Sequence, residues 1–244
     1  MPQLLHLTAS ARRTSLSTQI ATAFTEAWSA SLQTTAPASA SNPVLSPTAA
    51  YTHRNLTDSP IPPIREAWTT ICDTMLRESI TDISRYPEAV RTTPEHEAWR
   101  IVEPLLAELV AADVVLISAP MYNFGVPAAL KAWIDQVTFP KMDLAPRRFV
   151  IAYARGGSYL PGAPRESYEH QVRYLRDFFA GHYAIPVADL HVIGAELTNS
   201  LVDPGLAAHR PRHEASLAQA LAEATALGHE LATAPAGLTR ATGA

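Results

Sequence analysis

Three stretches of this chain carry residue types that could hold a phosphorylated, planar ligand. The first is Thr8-Ala9-Ser10-Ala11-Arg12-Arg13-Thr14-Ser15-Leu16-Ser17. Hydroxyls at Ser10, Ser15 and Ser17, two arginines and the N–H groups of a helix start could cradle a phosphate, because an opening helix presents unsatisfied donors and the positive end of its dipole. The alternative is a capped helix with solvent-facing arginines. Neither G-x-G-x-x-G nor G-x-x-x-x-G-K-[ST] occurs, so the glycines that a dinucleotide turn or a triphosphate loop needs are missing. A monophosphate site rich in hydroxyls, suited to FMN rather than to a pyrophosphate, is the expectation.

The second stretch, Ala119-Pro120-Met121-Tyr122-Asn123-Phe124-Gly125-Val126-Pro127, combines a backbone restrained by prolines with aromatic, polarizable and hydrogen-bonding side chains. A planar heterocycle with polar edges would suit it; the alternative is that these side chains fill core beneath a loop. The third, Ala154-Arg155-Gly156-Gly157-Ser158-Tyr159, has paired glycines that let backbone N–H groups approach a ligand closely, although Gly-Gly is also an ordinary turn.

Other chemistries find less support. Gly156-Gly157-Ser158-Tyr159-Leu160 lacks the last glycine of a nucleophile elbow. His209 and His213 have the spacing of metal ligands on a helix, but Pro211 between them is expected to interrupt that helix, so they read as surface histidines and no metal is expected. Cys72, the single cysteine, falls on an apolar helical stripe and reads as core. It cannot close a disulfide within the chain, which fits a reducing compartment.

The elements that must position the three stretches can be read from hydrophobic pattern. Leu4 to Thr8, Asp113 to Ser118, Phe149 to Ala154 and Val187 to Ile193 are short apolar runs of the kind that form parallel strands covered on both faces, with a poorly alternating fifth near Ala50 to Asn55. Between them run stripes of helical period. These are Leu16, Ile20, Phe24, Ala27 and Trp28; Ile64 to Ser79; Thr93 to Ala111, opened by Thr93-Pro94; Val126 to Val137; Tyr168 to Phe179; and Leu217 to Leu231. Strands alternating with helices predict a doubly wound, flavodoxin-like α/β fold, five parallel strands in the order 2-1-3-4-5 with helices on both faces. Ligands of such sheets sit at the carboxyl ends of the strands, where all three stretches lie.

The 244 residues are 47% hydrophobic and 17% charged, with a net charge of −4. That composition predicts one globular domain over residues 1–232, with an uncharged Pro, Ser and Thr-rich flexible connection at 33–50 inside it and a disordered tail at 233–244. The charge is too mild to hold a polyanion by counterion release, so nucleic acid is not an expected partner. No window of about 18 apolar residues occurs, which excludes a helical membrane span. The N-terminal run reads as a buried strand rather than a signal peptide, and the expected location is the cytoplasm.

Taken together, LLHLTASARRTSLS, YTHRNLTDSPIP at 51–62, PMYNFGVPAALKAWID at 120–135, ARGGSY at 154–159 and YLRDFFAGHYAI at 174–185 resemble the FMN-dependent NADH-azoreductases, also described as NADH:quinone oxidoreductases. The resemblance implies non-covalent FMN, NADH or NADPH as donor, a quinone or azo acceptor, and a homodimer with its active site at the interface. It implies that Ser10, Ser15, Ser17 and the Leu16 backbone hold the phosphate. Pro120, Met121, Tyr122, Asn123 and Phe124 would wrap the ribityl chain and ring system, and Gly156 and Gly157 would meet the pyrimidine edge. Tyr159 and Phe178 are further candidates for the substrate side, and no catalytic acid or base is implied, since hydride transfer needs stacking and orientation. After Val137 the chain runs TFPKMDLAPRR directly into the next strand, where relatives carry a longer segment that helps form the substrate site. A specialised flavoenzyme of the same fold and a non-enzymatic FMN electron carrier are the alternatives.

Overall fold

The computed structural model describes residues 1–35 and 51–234. Five strands, Leu4–Thr8 (β1), Tyr51–Asn55 (β2), Val114–Pro120 (β3), Arg148–Ala154 (β4) and Leu190–Ala195 (β5), form one parallel sheet in the order β2-β1-β3-β4-β5. Six α-helices accompany it: Leu16–Thr35 (α1), Glu66–Arg77 (α2), Thr93–Ala111 (α3), Ala128–Val137 (α4), Gln171–Tyr183 (α5) and Arg210–Thr233 (α6). This is the flavodoxin-like arrangement that the alternating pattern predicts.

The two-residue period of the strands sorts their side chains between two cores. Leu4, Val114, Leu116, Val150, Ala152 and Ile193 pack against Ile20, Phe24 and Trp28 of α1 and Ala220, Ala224 and Leu231 of α6. Leu5, Leu7, Val115, Ile117, Phe149 and Ile151 point the other way, into a core closed by α2, α3, α4 and α5. The inner strands are buried on both faces, so apolar residues occupy them almost without interruption. Helices α1 and α6 approach closely because Gly228 has no side chain: a Cβ there would lie 2.4 Å from the Phe24 carbonyl oxygen.

Element boundaries shift where local bonding overrides pattern. A 3₁₀ turn at Val187–Asp189, closed by the Asp189 N–H donating to the Pro186 carbonyl at 2.9 Å, delays β5 to Leu190. Tyr168 lies on another 3₁₀ turn, Glu166–Tyr168, ahead of α5 rather than in it. Pro211 does not interrupt a helix. It occupies the first turn of α6, where a missing N–H costs no bond. Residues 33–35 complete α1 and Thr233 ends α6, and the rest of the expected connection and tail, 36–50 and 235–244, lies outside the described residues.

The short run after α4 is core. Phe139 is fully buried, with its ring centroid 5.4 Å from Trp68, 5.1 Å from Tyr86 and 6.0 Å from Trp99. Met142 and Leu144 are buried beside it, and the Thr138 hydroxyl lies 2.7 Å from that of Tyr183. Among the described residues no helix is long and apolar enough to cross a membrane.

Candidate functional site

The carboxyl ends of β1, β2 and β3 are locked in register by two bonds that leave the strands: the Ala9 N–H donates to the Ser118 carbonyl at 2.9 Å and the Leu56 N–H to the Thr8 carbonyl at 2.8 Å. The β1–α1 loop starts from this fixed edge. Ser10 is buried, its Oγ accepting from the Arg12 N–H at 3.2 Å. Ser15 and Ser17 are also buried, their hydroxyls 2.9 Å apart at the opening of α1, and the neighbouring Thr18 Oγ1 is buried with no partner. Arg12 and Arg13 are exposed. Three serine hydroxyls bonded only within the loop, a threonine hydroxyl without a partner and the first N–H groups of a helix form a local donor set, which is the chemistry a phosphate requires. The residues present therefore fit an FMN phosphate.

The β3–α4 loop is a tight turn. The Tyr122 N–H donates to the Gly125 carbonyl at 3.2 Å and the Gly125 N–H to the Tyr122 carbonyl at 2.9 Å. The two residues between, Asn123 and Phe124, have φ of 48° and 67°, the backbone pattern of a type I′ turn. Asparagine tolerates that region, but a phenylalanine held there stores about 1–3 kcal/mol of strain. The turn thrusts its side chains outward: Tyr122 is 39% and Phe124 40% exposed, while Pro120 stays buried at the end of β3. Met121 anchors the base, its N–H donating to the Ala154 carbonyl at 3.0 Å.

The β4–α5 loop begins at Arg155, whose guanidinium is buried. It pairs with Glu169 at 3.0 Å and Glu196 at 3.4 Å and lies over the Tyr153 ring, 3.9 Å from its centroid. Glu196 also accepts from the Ser158 hydroxyl at 2.7 Å and the Tyr159 N–H at 3.2 Å. Gly156 packs against Asn199, whose exposed side-chain amide would lie 2.6 Å from a Cβ and would have to move aside; at Gly157 the same atom would meet only ordinary contacts, at 3.5 Å and beyond. Tyr159 is buried, and its ring meets that of Phe124 edge-on, centroids 6.3 Å apart.

Of the residues singled out in the sequence, Ser10, Ser15, Leu16 and Ser17 share the first loop, Pro120 to Phe124 the second, and Gly156, Gly157 and Tyr159 the third, all at strand carboxyl ends. Phe178 is not brought to them. It sits on α5 against Tyr174, His182 and Tyr183, with centroids 5.9, 5.2 and 5.1 Å away. His213 is a correction: it is not a surface histidine but is buried, its Nδ1 2.8 Å from the Glu196 carbonyl oxygen. Cys72 is buried as expected, and burial pushes its thiol pKa up to about 12, well away from a reactive thiolate.

Four residues that build the site were not assigned from sequence. Arg155, Glu169 and Glu196 form the charged hub of the third loop, and Gln171 donates through Nε2 to the Ala119 and Pro120 carbonyls at 3.1 and 2.8 Å. Arg155 stands inside the ARGGSY stretch, so its position was visible; its two carboxylate partners come from 14 and 41 residues further along the chain and left no local pattern. A groove of about 390 Å³ is lined by prolines, Trp68 and Ile101 together with Arg65, Glu97 and Gln136, and it shares no residue with the three loops. Among the described residues no group of three or more His, Cys, Asp or Glu side chains is placed to hold a metal.

Comparison with known proteins agrees with this geometry. A family model described as flavodoxin-like fold matches residues 2–219. An FMN-dependent NADH:quinone oxidoreductase of Nocardia farcinica is 55% identical over 230 residues, covering 94% of this chain and 99% of the relative. One of the same name from a Parafrankia species is 35% identical, covering 88% and 93%. Among solved structures, an FMN-dependent NADH-azoreductase from Bacillus anthracis in complex with FMN superposes with a TM-score of 0.67 at 18% identity, covering 96% of this chain and all of that one. Another azoreductase from that species gives 0.68 at 16% identity, covering 94% and 100%. At those identities the structures speak for the fold. The family model and the two sequence relatives together place the chain in a family: it belongs to the FMN-dependent NADH:quinone oxidoreductases of the flavodoxin-like fold.

Proposed function

We propose that this oxidoreductase binds FMN at the carboxyl ends of β1, β3 and β4 and uses it to pass electrons from NADH to quinone or azo acceptors. The observation that carries the reading is the meeting, at one edge of the sheet, of a hydroxyl-lined helix start with an outward-thrust aromatic turn, in a chain 55% identical to a relative of that name. Ser10, Ser15, Ser17 and the Leu16 N–H would hold the phosphate. Pro120, Met121, Tyr122, Asn123 and Phe124 would wrap the ribityl chain and ring system, and Gly156 and Gly157 would present backbone to the pyrimidine edge. FMN, when bound, supplies the two-electron chemistry; the chain contributes binding, orientation and exclusion of water from the buried side.

Ping-pong turnover, with donor and acceptor using the same flavin face in turn, is part of the proposal. NADPH is a second donor to be compared with NADH. A homodimer with its active site at the interface, proposed from the family, is the setting in which Phe178 could line the substrate side from a second subunit. A cytoplasmic location completes the reading.

The test is an anaerobic visible spectrum of the protein after addition of FMN, then NADH, then menadione. A bound flavin bleached by NADH and recoloured by the quinone is the expected result. Bound FMN untouched by NADH would favour a carrier, and no FMN binding would end the proposal. Intersecting rather than parallel double-reciprocal lines would exclude ping-pong.

A further inference from the structure

Beside the residues proposed to hold FMN stands an aromatic ring with no assigned task, Tyr168. Tyr168 is 50% exposed, and its ring stacks on that of Phe124, centroids 5.2 Å apart at 28°. Tyr159 meets Phe124 on a different edge. Tyr122, two residues before Phe124, and Leu160, next after Tyr159, are also exposed. Apolar ring area left in water is unfavourable, and an exposed stacked pair of rings offers a planar ligand a place to recover that energy.

Tyr168 is also held more firmly than an exposed loop residue needs to be. Glu169, next in the chain, caps α5 by accepting from the N–H groups of Gln171, Val172 and Arg173 at 3.1, 2.9 and 3.0 Å, and it pairs with the buried Arg155 of the β4–α5 loop. Two residues further on, Gln171 bonds the Ala119 and Pro120 carbonyls at the end of β3, and its own Oε1 is buried without a partner. Residues 168–171 are therefore fastened to the start of the β4–α5 loop through Arg155 and to the end of β3 through Gln171. The alternative source of an aromatic wall, Phe139 in the run after α4, is sealed in the core.

We infer that Tyr168 is a specificity-determining residue: with Phe124 it forms an outer wall that stacks on a planar aromatic acceptor, and the Glu169–Arg155 ion pair is the positioning element that holds it there. The inference rests on the proposed function and names the acceptor class it takes, fused or linked aromatic quinones and azo compounds rather than compact acceptors. Offset stacking of the acceptor on Tyr168 would add to affinity beyond the area buried.

The experiment compares FMN-loaded wild type, Tyr168→Ala, Tyr168→Phe and Glu169→Gln with NADH as donor, using menadione as a planar acceptor and ferricyanide as one that cannot stack. In Tyr168→Ala the ratio of kcat/KM for menadione to that for ferricyanide should fall tenfold or more, through KM. Tyr168→Phe should stay within twofold of wild type, and Glu169→Gln should fall between them. An unchanged ratio in Tyr168→Ala would overturn the inference, as would a Tyr168→Ala protein of smaller mass by size exclusion, which would place the ring in a subunit contact. Failure of the parent reading shows separately, in a wild type that binds no FMN or reduces neither acceptor.

Discussion

Arg155 and Glu196 face each other at 3.4 Å with both side chains only 4% exposed, at the point where β4 and β5 release the chain. A buried pair of this kind is held in place by its hydrogen bonds more than by its charge, because desolvation offsets most of the Coulomb gain. Glu196 meets that condition through Ser158 and the Tyr159 N–H, and Arg155 through Glu169 and the Tyr153 ring.

Removing Glu196 takes one of two carboxylates from the buried Arg155, which keeps Glu169, and leaves the Ser158 hydroxyl and the Tyr159 N–H without their acceptor. Glu196→Ala is expected to lower the unfolding free energy by about 1–3 kcal/mol, read as a drop in urea midpoint at unchanged slope, and to loosen the Gly156–Gly157 loop so that FMN affinity falls with it. The double variant Arg155→Met/Glu196→Ala should recover part of the loss. A double variant no more stable than the single one would mean that the pair is not coupled.

Asn123 sits at φ 48° in the β3–α4 turn. Asn123→Ala and Asn123→Gly both delete the amide, but only alanine is strained there, by about 1 kcal/mol. Both variants should therefore bind FMN more weakly, about tenfold by fluorescence titration, while only Asn123→Ala loses stability. Wild-type flavin affinity in Asn123→Gly would remove the amide from the site.

Much of this site was legible because its loops follow directly from elements with strong local patterns. The runs LLHLT and VVLIS fix β1 and β3 by their mostly apolar character, and the hydroxyls and aromatics next to them must then lie at strand ends. What could not be read was long-range or conformational. The Phe124–Tyr168 stack needs a 3₁₀ turn where the 3.6-residue stripe suggested helix. The Arg155 hub needs partners from α5 and β5. His213 looked solvated because Pro211 suggested a break, yet a proline in the first turn of α6 lets the helix carry that ring inward to the Glu196 carbonyl. Gly156 was visible, but its packing against Asn199 was not.

Ser15 stands immediately before α1, where an aspartate would be a good helix cap and favourable toward the helix dipole. Ser15→Asp should thus keep or slightly raise the melting temperature while repelling the phosphate by like charge. FMN affinity should fall at least a hundredfold in a titration, and riboflavin, which lacks the phosphate, should bind the variant and the wild type alike. Equal loss of both flavins would place Ser15 away from the phosphate.

His6 supplies a pH dependence whose sign is fixed by burial. Its ring is buried, with Nδ1 2.9 Å from the Tyr51 hydroxyl, Nε2 3.4 Å from the Thr8 hydroxyl and the His53 ring 4.8 Å away, centroid to centroid. Burial first, and then the neighbouring His53, pull its pKa from 6.5 to about 3. Asp58 acts on His53 in the opposite sense and leaves the burial of His6 unchanged. The folded protein keeps His6 neutral where the unfolded chain binds a proton, so the stabilisation is complete above pH 6.5 and is lost progressively as pH falls toward 3. Each pH unit inside that window should remove about 1.4 kcal/mol through this one group. Urea unfolding of wild type and His6→Gln at pH 7.5, 6, 5 and 4 isolates it, because the carboxylates contribute to both proteins. The His6→Gln curve should be shallower by about that slope, and parallel curves would show that His6 titrates normally in the folded state.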